Sequence, residues 1–389
     1  MKLFYLTALN DQDREKCGIL GKINGQINAY KKSDIEVYFG HFSGEKFSIE
    51  HEGKTILHNV KKGNTRTKLG SIYNYIYSLI RKKHIDIIYI RFASLDEKAI
   101  NFFYNLHKIN VQIIIEFYSH NLVLEAKKTA LRDFKAGKVL NAIKSYASLT
   151  INQYYCTKLH NYVDLIVTTT PVDKLYGIPT INVVNGIDTS ASSVRIKSNN
   201  EYDFNIVSVA MISTWHGYDR IIKGIANYYQ NGGDKNIHYT VIGDGDEKAN
   251  LEKLVHDLQL ENHVEFTGIK VKEELEPYYN YADVALEMLA GFRRTDGNIS
   301  SIKMAEYFAK GVPVLYASNS EIENFEIKKY CIYVENNDSD VDVFELIEKT
   351  NKIYSSSGNV SQKMHDVAKK YFDWTVTMKD LLSYINNKG

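Results

Sequence analysis

The stretch GNISSIKMAEYFAKGVPVLYA, Gly297 to Ala317, combines residue types suited to holding a phosphorylated sugar. Gly297, Asn298, Ser300 and Ser301 supply a flexible entry and good helix caps, so the free amides from Ile299 to Ile302 can meet a phosphate or sugar hydroxyls. Lys303 adds a cation one turn in. Glu306 follows among Ala305, Tyr307, Phe308 and Ala309. A carboxylate there can accept hydrogen bonds from two adjacent hydroxyls, as on a ribose. A charge among apolar neighbours is costly unless it is used. Diphosphate, sugar and ribose together describe a nucleotide-sugar. The plainer reading is a capped surface helix on which Glu306 pairs with Lys303 or Lys310.

Residues of this kind need a scaffold that brings loop ends together. Short β-rich runs alternate with amphipathic stretches of helical length: KLFYLTA, IEVYFG, DIIYIRF, QIIIEFY, LIVTTT and TINVVNG, then NIVSVAM, HYTVIGDG, VEFTG, DVALEML, VPVLYA and CIYVEN. That rhythm predicts parallel sheets covered on both faces. KFSIEHEGKTILHNV, Lys46 to Val60, alternates with period two around Glu-Gly and predicts an inserted hairpin. The polar run SASSVRIKSNNEYD, Ser190 to Asp203, is the expected linker. Ligands of open α/β sheets collect at the carboxyl ends of the strands. Attention therefore falls on Asp244-Gly245-Asp246, on ISTWHGYDR and on AGFRRTDGNISSIKMAE.

A chain of 389 residues with 44% hydrophobic content can bury two ordinary cores. Cys17, Cys156 and Cys331 lack the spacing of a disulfide framework or a zinc site, which fits a reducing cytoplasm. The start, MKLFYLTALN, reads as a first strand rather than a signal segment, and no apolar run is long enough to span a bilayer. The net charge of +1 conceals a division: residues 1–200 hold 28 Lys and Arg against 17 Asp and Glu, and residues 201–389 hold 20 against 30. The basic half is suited to an anionic surface such as lipid headgroups or a phosphorylated acceptor, although two solvated domains of different composition would look the same.

Gly297 to Ala317 resembles the donor-binding signature of the retaining GT-B glycosyltransferases of the large family four, down to its tail Ala309-Lys310-Gly311-Val312-Pro313-Val314. Asn185-Gly186-Ile187-Asp188, Val241-Ile242-Gly243-Asp244-Gly245 and Val264-Glu265-Phe266-Thr267-Gly268 resemble other segments of that family in the same order. The resemblance implies a GT-B fold, an α/β architecture of two Rossmann-like domains facing a central cleft. The expected boundaries are an acceptor domain at 1–199, a nucleotide-sugar domain at 200–372, and a helix at 373–389 that crosses back to the first. It also implies that Glu306 holds the ribose and that the amides of Ile299 to Ile302 hold the diphosphate and hexose.

Two departures are visible. Where the family has the first glutamate of its pair, this chain has Asn298, which cannot supply negative charge near an oxocarbenium ion. Where it has Arg and Lys after the first strand of the second domain, this chain has Met211 and His216, leaving His216 and Arg220 to meet phosphate. Capsule- and exopolysaccharide-type subgroups are similar in carrying WHGYDR and S-x-x-K-x-x-E-Y, with Lys303, Arg293 and Arg294 to restore positive charge. In the first domain the resemblance points to Gly18, where backbone can approach the donor, and to His120 for contact with the donor sugar.

The activity implied is retaining transfer of a sugar from a nucleotide-diphospho-sugar to a glycan or lipid-linked acceptor in surface polysaccharide synthesis. His216, Lys303 and His120 would be the catalytic groups, with no metal, no cofactor and no nucleic-acid partner. The helical segment carrying Lys127, Lys128, Arg132, Lys135, Lys138, Lys144 and Lys158 among Leu, Ile, Phe and Tyr suits an anionic membrane face, hence a cytoplasmic protein peripheral on the inner membrane. Alternatives are a non-catalytic partner subunit of the same fold and a nucleotide-sugar epimerase. A nicotinamide dehydrogenase would need G-x-G-x-x-G after the first strand, which is absent.

Overall fold

Alternation of apolar strands with amphipathic helices resolves, in a computed structural model, into two α/β units, one formed by Met1–Val184 with Thr377–Gly389 and the other by Asn185–Val376. The structure describes residues 1–13, 17–117, 130–131, 134, 137–294, 301–317, 324–356 and 358–388. Among the described residues no helix is long and apolar enough to cross a membrane.

The first unit holds a nine-stranded sheet in the order β4-β3-β2-β1-β5-β6-β7-β9-β8. Its strands are β1 (Lys2–Asn10), β2 (Glu36–Ser43), β3 (Lys46–His51), β4 (Lys54–Asn59), β5 (Ile87–Arg91), β6 (Gln112–Phe117), β7 (Leu165–Thr168), β8 (Lys174–Leu175) and β9 (Ile178–Asn182). Among the described residues its helices include α1 (Cys17–Lys32), α2 (Thr65–Lys83), α3 (Glu97–Lys108), α4 (Val139–Cys156) and, from the end of the chain, Lys379–Lys388. β2, β1, β5, β6, β7 and β9 run parallel, as continuous apolar runs require. The hairpin β3–β4 turns at Glu52 and Gly53, whose φ values of 48° and 74° give the left-handed pair that matches strand twist. It extends the edge of the sheet through β2.

Charge is buried beneath α1. Glu116, near the carboxyl end of β6, is 1% exposed and lies 2.8 Å from Lys22 Nζ of α1 and 3.1 Å from Arg91 Nη1 of β5. The Tyr89 hydroxyl donates to it at 2.8 Å. Burial alone would raise this carboxyl, but the two cations and the phenol outweigh it and hold Glu116 down at about 2.

The second unit holds a six-stranded sheet in the order β12-β11-β10-β13-β14-β15. Its strands are β10 (Phe204–Met211), β11 (Ile237–Asp244), β12 (Val264–Gly268), β13 (Val284–Leu286), β14 (Val314–Tyr316) and β15 (Cys331–Tyr333). All pairs are parallel. The connecting helices include α5 (Tyr218–Gln230), α6 (Lys248–Asp257), α7 (Lys272–Tyr281), α8 (Ile302–Lys310), α9 (Val343–Ser356) and α10 (Val360–Tyr371). One core runs through the unit, from Ile206 and Val241 in the sheet to Phe308, Leu346 and Met364 in the helices. Residues expected to form a linker pack here: the Arg195 guanidinium donates to the carbonyls of Tyr279 and Ala282, and the Lys197 ammonium lies 2.8 Å from Asp283.

Removing one member of the buried group in the first unit leaves the others uncompensated. Glu116→Leu is expected to cost about 3–5 kcal/mol in denaturant unfolding. Because the folded carboxyl is depressed from its ordinary 4.5 to about 2, its contribution is present above 4.5 and is lost as pH falls through about 2. Acid titration of the Glu116→Leu variant should lack that component, worth about 3 kcal/mol in the natural chain.

Candidate functional site

In the second sheet the order of strands reverses between β10 and β13. Loops leaving such a pair diverge to opposite sides and open a crevice at their carboxyl ends, the usual ligand position in open α/β sheets. Here the two loops are stitched together before they part. Leu289 N donates to His216 O at 3.0 Å and Ala290 N to Trp215 O at 3.2 Å. Gly217 makes the approach possible: its φ is 67°, and a Cβ there would lie 2.9 Å from Ala290 N.

Helix α8 is pinned over both strands by Tyr307, whose hydroxyl accepts from Val209 N at 3.1 Å and donates to Leu286 O at 3.2 Å. The helix ends at Gly311, with φ 76°, where a Cβ would meet Ser361 Cα of α10 at 2.4 Å. Its first turn, carrying Ile302 and Lys303, is thereby fixed at the crevice. Ser301 occupies the N-cap position and its side chain makes no capping bond.

His216 is buried, with its ring stacked 5.3 Å from that of Tyr218. Its Nδ1 accepts from Ser213 N at 3.1 Å, so the neutral ring carries its proton on Nε2. Burial pushes its pKa well below the ordinary 6.5, and Lys303 and Arg294 push the same way against the Ser213 bond. His216 is thus a neutral N–H donor beside two cations.

Lys303 Nζ lies 4.0 Å from Oε1 of Glu287, the residue that follows β13, with the carboxylate 1% exposed. Burial lowers the lysine, Glu287 opposes that, and Arg294 adds to it. The Arg294 guanidinium sits 5.2 Å from the Trp215 ring centre. Its neighbour in sequence serves another purpose: Arg293 makes two bonds to Asp219, at 2.7 and 2.9 Å, and two to Asp338, at 2.5 and 3.0 Å. Asp219 holds the loop after β13 to α5, and Asp338 holds it to the segment after β15.

Glu306 lies one turn beyond Lys303, where its charge reinforces the effect of burial in raising the pKa of the Tyr279 phenol. Lys310, offered by the sequence as a partner for Glu306, instead pairs with Glu276 of α7. Arg220 takes a different place from the phosphate-facing one expected. It is 1% exposed and donates to the carbonyls of Ser339 and Leu289, because a guanidinium buried at the base of α5 must spend its donors on nearby backbone. It shapes the loop behind the crevice. Asp338 and Asp340, spaced like a metal-binding pair, are occupied by Arg293 and Asn227.

Gly18, in the first unit, stands exposed in the first turn of α1, and a Cβ there would meet nothing within 4 Å. His120, Gly297, Asn298, Ile299 and Ser300 lie outside the described residues, as do Lys127, Lys128, Arg132 and Lys135. The structure thus brings His216 and Lys303 together, sets Glu306 one turn further along α8 beside Tyr279, and engages Arg220 with the carbonyls of Leu289 and Ser339. Glu287 was missed by sequence reasoning, although a lone acid inside the apolar run DVALEML is the signal that marks it.

Residues 191–370 match the model of the family described as glycosyl transferases group 1. The stretch nearly fills the second unit. The amylovoran biosynthesis glycosyltransferase AmsK of Erwinia amylovora is 32% identical over 145 residues, covering 36% of this chain and 35% of that protein. The matched part is thus about a third of that relative's length. Over the whole of both chains the fold is that of the sucrose-phosphate synthase of Thermosynechococcus elongatus, at 14% identity and a TM-score of 0.64. It is likewise that of HepE from Anabaena in complex with UDP, at 12% identity and a TM-score of 0.60.

Nitrogen-15 NMR of the His216 imidazole should find the Nε2–H tautomer, uncharged through its ordinary midpoint of 6.5. Since the folded ring resists the second proton, the unfolded chain takes it up first, and this residue's share of stability declines as pH falls below 6.5. A ring titrating at or above 6.5 in the folded protein overturns the assignment.

Proposed function

We propose that this chain, whose second unit matches the model of the group 1 glycosyl transferases, is such an enzyme and transfers a sugar from a nucleotide-diphospho-sugar to a lipid-linked glycan acceptor, with retention of configuration, in surface polysaccharide synthesis. The observation that carries this reading is the convergence of His216, Lys303 and Arg294 where the second sheet reverses its strand order, with Glu306 one turn further along α8. A diphosphate suits the two cations and the neutral Nε2–H donor, and a ribose suits the carboxylate one turn further along α8. The amylovoran enzyme's name supports the polysaccharide, and the UDP held by HepE makes UDP the first nucleotide to try.

In the transfer, the bond from the sugar's anomeric carbon to the diphosphate oxygen breaks, and the acceptor hydroxyl oxygen bonds to that carbon on the same face. The acceptor's proton passes to the leaving diphosphate. Lys303, Arg294 and His216 Nε2–H stabilise the charge gathering on the leaving group. Glu306 fixes the nucleoside so that this charge develops at those donors.

Support for a membrane-borne acceptor comes from α4. Leu140, Ile143 and Tyr154 are 73%, 60% and 58% exposed, at spacings that share a helix face with exposed Ala147 and Thr150. Lys138, Lys144 and Lys158 are exposed along the same segment. Apolar side chains flanked by lysines complement an anionic leaflet.

Calorimetric titration with UDP, GDP, ADP and CMP is expected to find one tight binder. Glu306→Ala should weaken it by about tenfold or more, the worth of hydrogen bonds to a charged acceptor. If a folded protein binds none of the four, the donor reading falls and a non-catalytic partner subunit takes its place. Transfer of radiolabelled sugar then separates transferase from epimerase. In flotation at low salt, the protein should rise with phosphatidylglycerol vesicles and not with phosphatidylcholine vesicles, and Leu140→Ser with Ile143→Ser should reduce binding by about tenfold. Equal recovery with both lipids removes the membrane from the proposal.

A further inference from the structure

Glu287 has no place in the function just described, yet it is the most buried charge at the crevice. It follows the last residue of β13, and its backbone amide continues the ladder by donating to Leu315 O at 2.9 Å. One carboxylate oxygen accepts from its neighbour's amide, Met288 N, and the other faces Lys303 Nζ at 4.0 Å. The backbone and the first oxygen are both held by the sheet end, so the second oxygen has little freedom to turn away from the lysine.

Among the described residues, the other titratable groups that feel Glu287 include the phenols of Tyr218 and Tyr307 and the thiol of Cys331, each held in its neutral form by burial with the carboxylate adding to the effect. They come from α5, α8 and β15, the elements packed around the end of β13. The groups acting on Lys303 are Glu287 from the sheet and Arg294 from the loop, and Lys303 in turn acts on His216. Glu287 is thus the negative charge set against two cations and a neutral imidazole.

A lysine placed this deep and beside an arginine tends to shed its proton, and a neutral amine is a poor ligand for a diphosphate. We infer that Glu287 is a positioning residue for the anion site: its fixed carboxylate oxygen keeps the Lys303 ammonium charged and in place at the first turn of α8. The inference rests on the reading of this crevice as the nucleotide-diphosphate site. It assigns Glu287 no contact with substrate.

Two measurements separate the inference from that reading. The first needs no nucleotide: reductive methylation with carbon-13 places a reporter on Lys303, assigned by its absence in Lys303→Arg, and its titration is followed by NMR. Glu287→Gln should lower the midpoint by about one pH unit, the effect of removing a nearby opposite charge. Glu287→Asp, which draws the charge back by one methylene, should lower it by less. The second is UDP affinity against pH. Binding should weaken at high pH as Lys303 loses its proton, and Glu287→Gln should move that decline about one unit lower, a roughly tenfold loss at a pH between the two midpoints. Lys303→Met should abolish the decline in both backgrounds.

An unchanged midpoint and an unchanged decline in whichever Glu287 variant is folded overturn the inference. Failure of the natural chain to bind UDP or any other nucleoside diphosphate overturns the functional reading, while the NMR titration still decides whether Glu287 governs the charge of Lys303.

Discussion

A buried carboxylate must be matched where it sits, and each unit of this protein is arranged around one such charge near a strand's carboxyl end. In the first unit it is Glu116 on β6, met by Lys22 from α1 and Arg91 from β5. In the second it is Glu287 after β13, met by Lys303 from α8. In both cases the lysine comes from the helical layer and the glutamate from the sheet, so each pair fixes a helix against the sheet it covers. Desolvated ions are too costly to leave apart, which gives such a pair more influence over geometry than over net stability.

The second unit shows how far that influence extends. Parallel strands leave their loops at one end, and the reversal between β10 and β13 turns those loops aside. By itself this makes only an opening. The amides of Leu289 and Ala290 close its floor against His216 and Trp215, and Tyr307 ties α8 to Val209 and Leu286. What remains at the surface of that floor is a small set of side chains with few ways to move.

The strands, the helices between them and the Glu-Gly hairpin were legible in the sequence because each depends on local periodicity. Lys303 and Glu306 were legible because their spacing along one helix fixes their relation to each other. The arginines were not. Arg220, Arg293 and Arg294 look alike as residues after strands, and only the fold shows that the first is consumed by the carbonyls of Leu289 and Ser339, the second by Asp219 and Asp338, and the third stands over Trp215. Partners far apart in the chain decided each case. Glu287 was hidden for the opposite reason: an acid within an apolar run reads as a strand end until the sheet shows what faces it.

These placements bear on how cations can share one crevice. Lys303, Arg294 and a charged His216 would repel one another strongly in a water-poor crevice, and the fold would have to hold them together without a ligand. Instead His216 is kept neutral by burial and by its two cationic neighbours, with Nδ1 occupied by Ser213 N. Glu287 offsets one of the two remaining charges. Lys303, Arg294 and Glu287 together therefore carry a single net positive charge, which the second unit can hold at little cost. Under the proposed function, an arriving diphosphate would bring more negative charge than that, and the neutral imidazole would then contribute a hydrogen bond without the desolvation cost of a third cation. On that proposal the same restraint would favour release, since a product diphosphate facing Lys303, Arg294 and a neutral imidazole would leave more readily than one held by three buried cations.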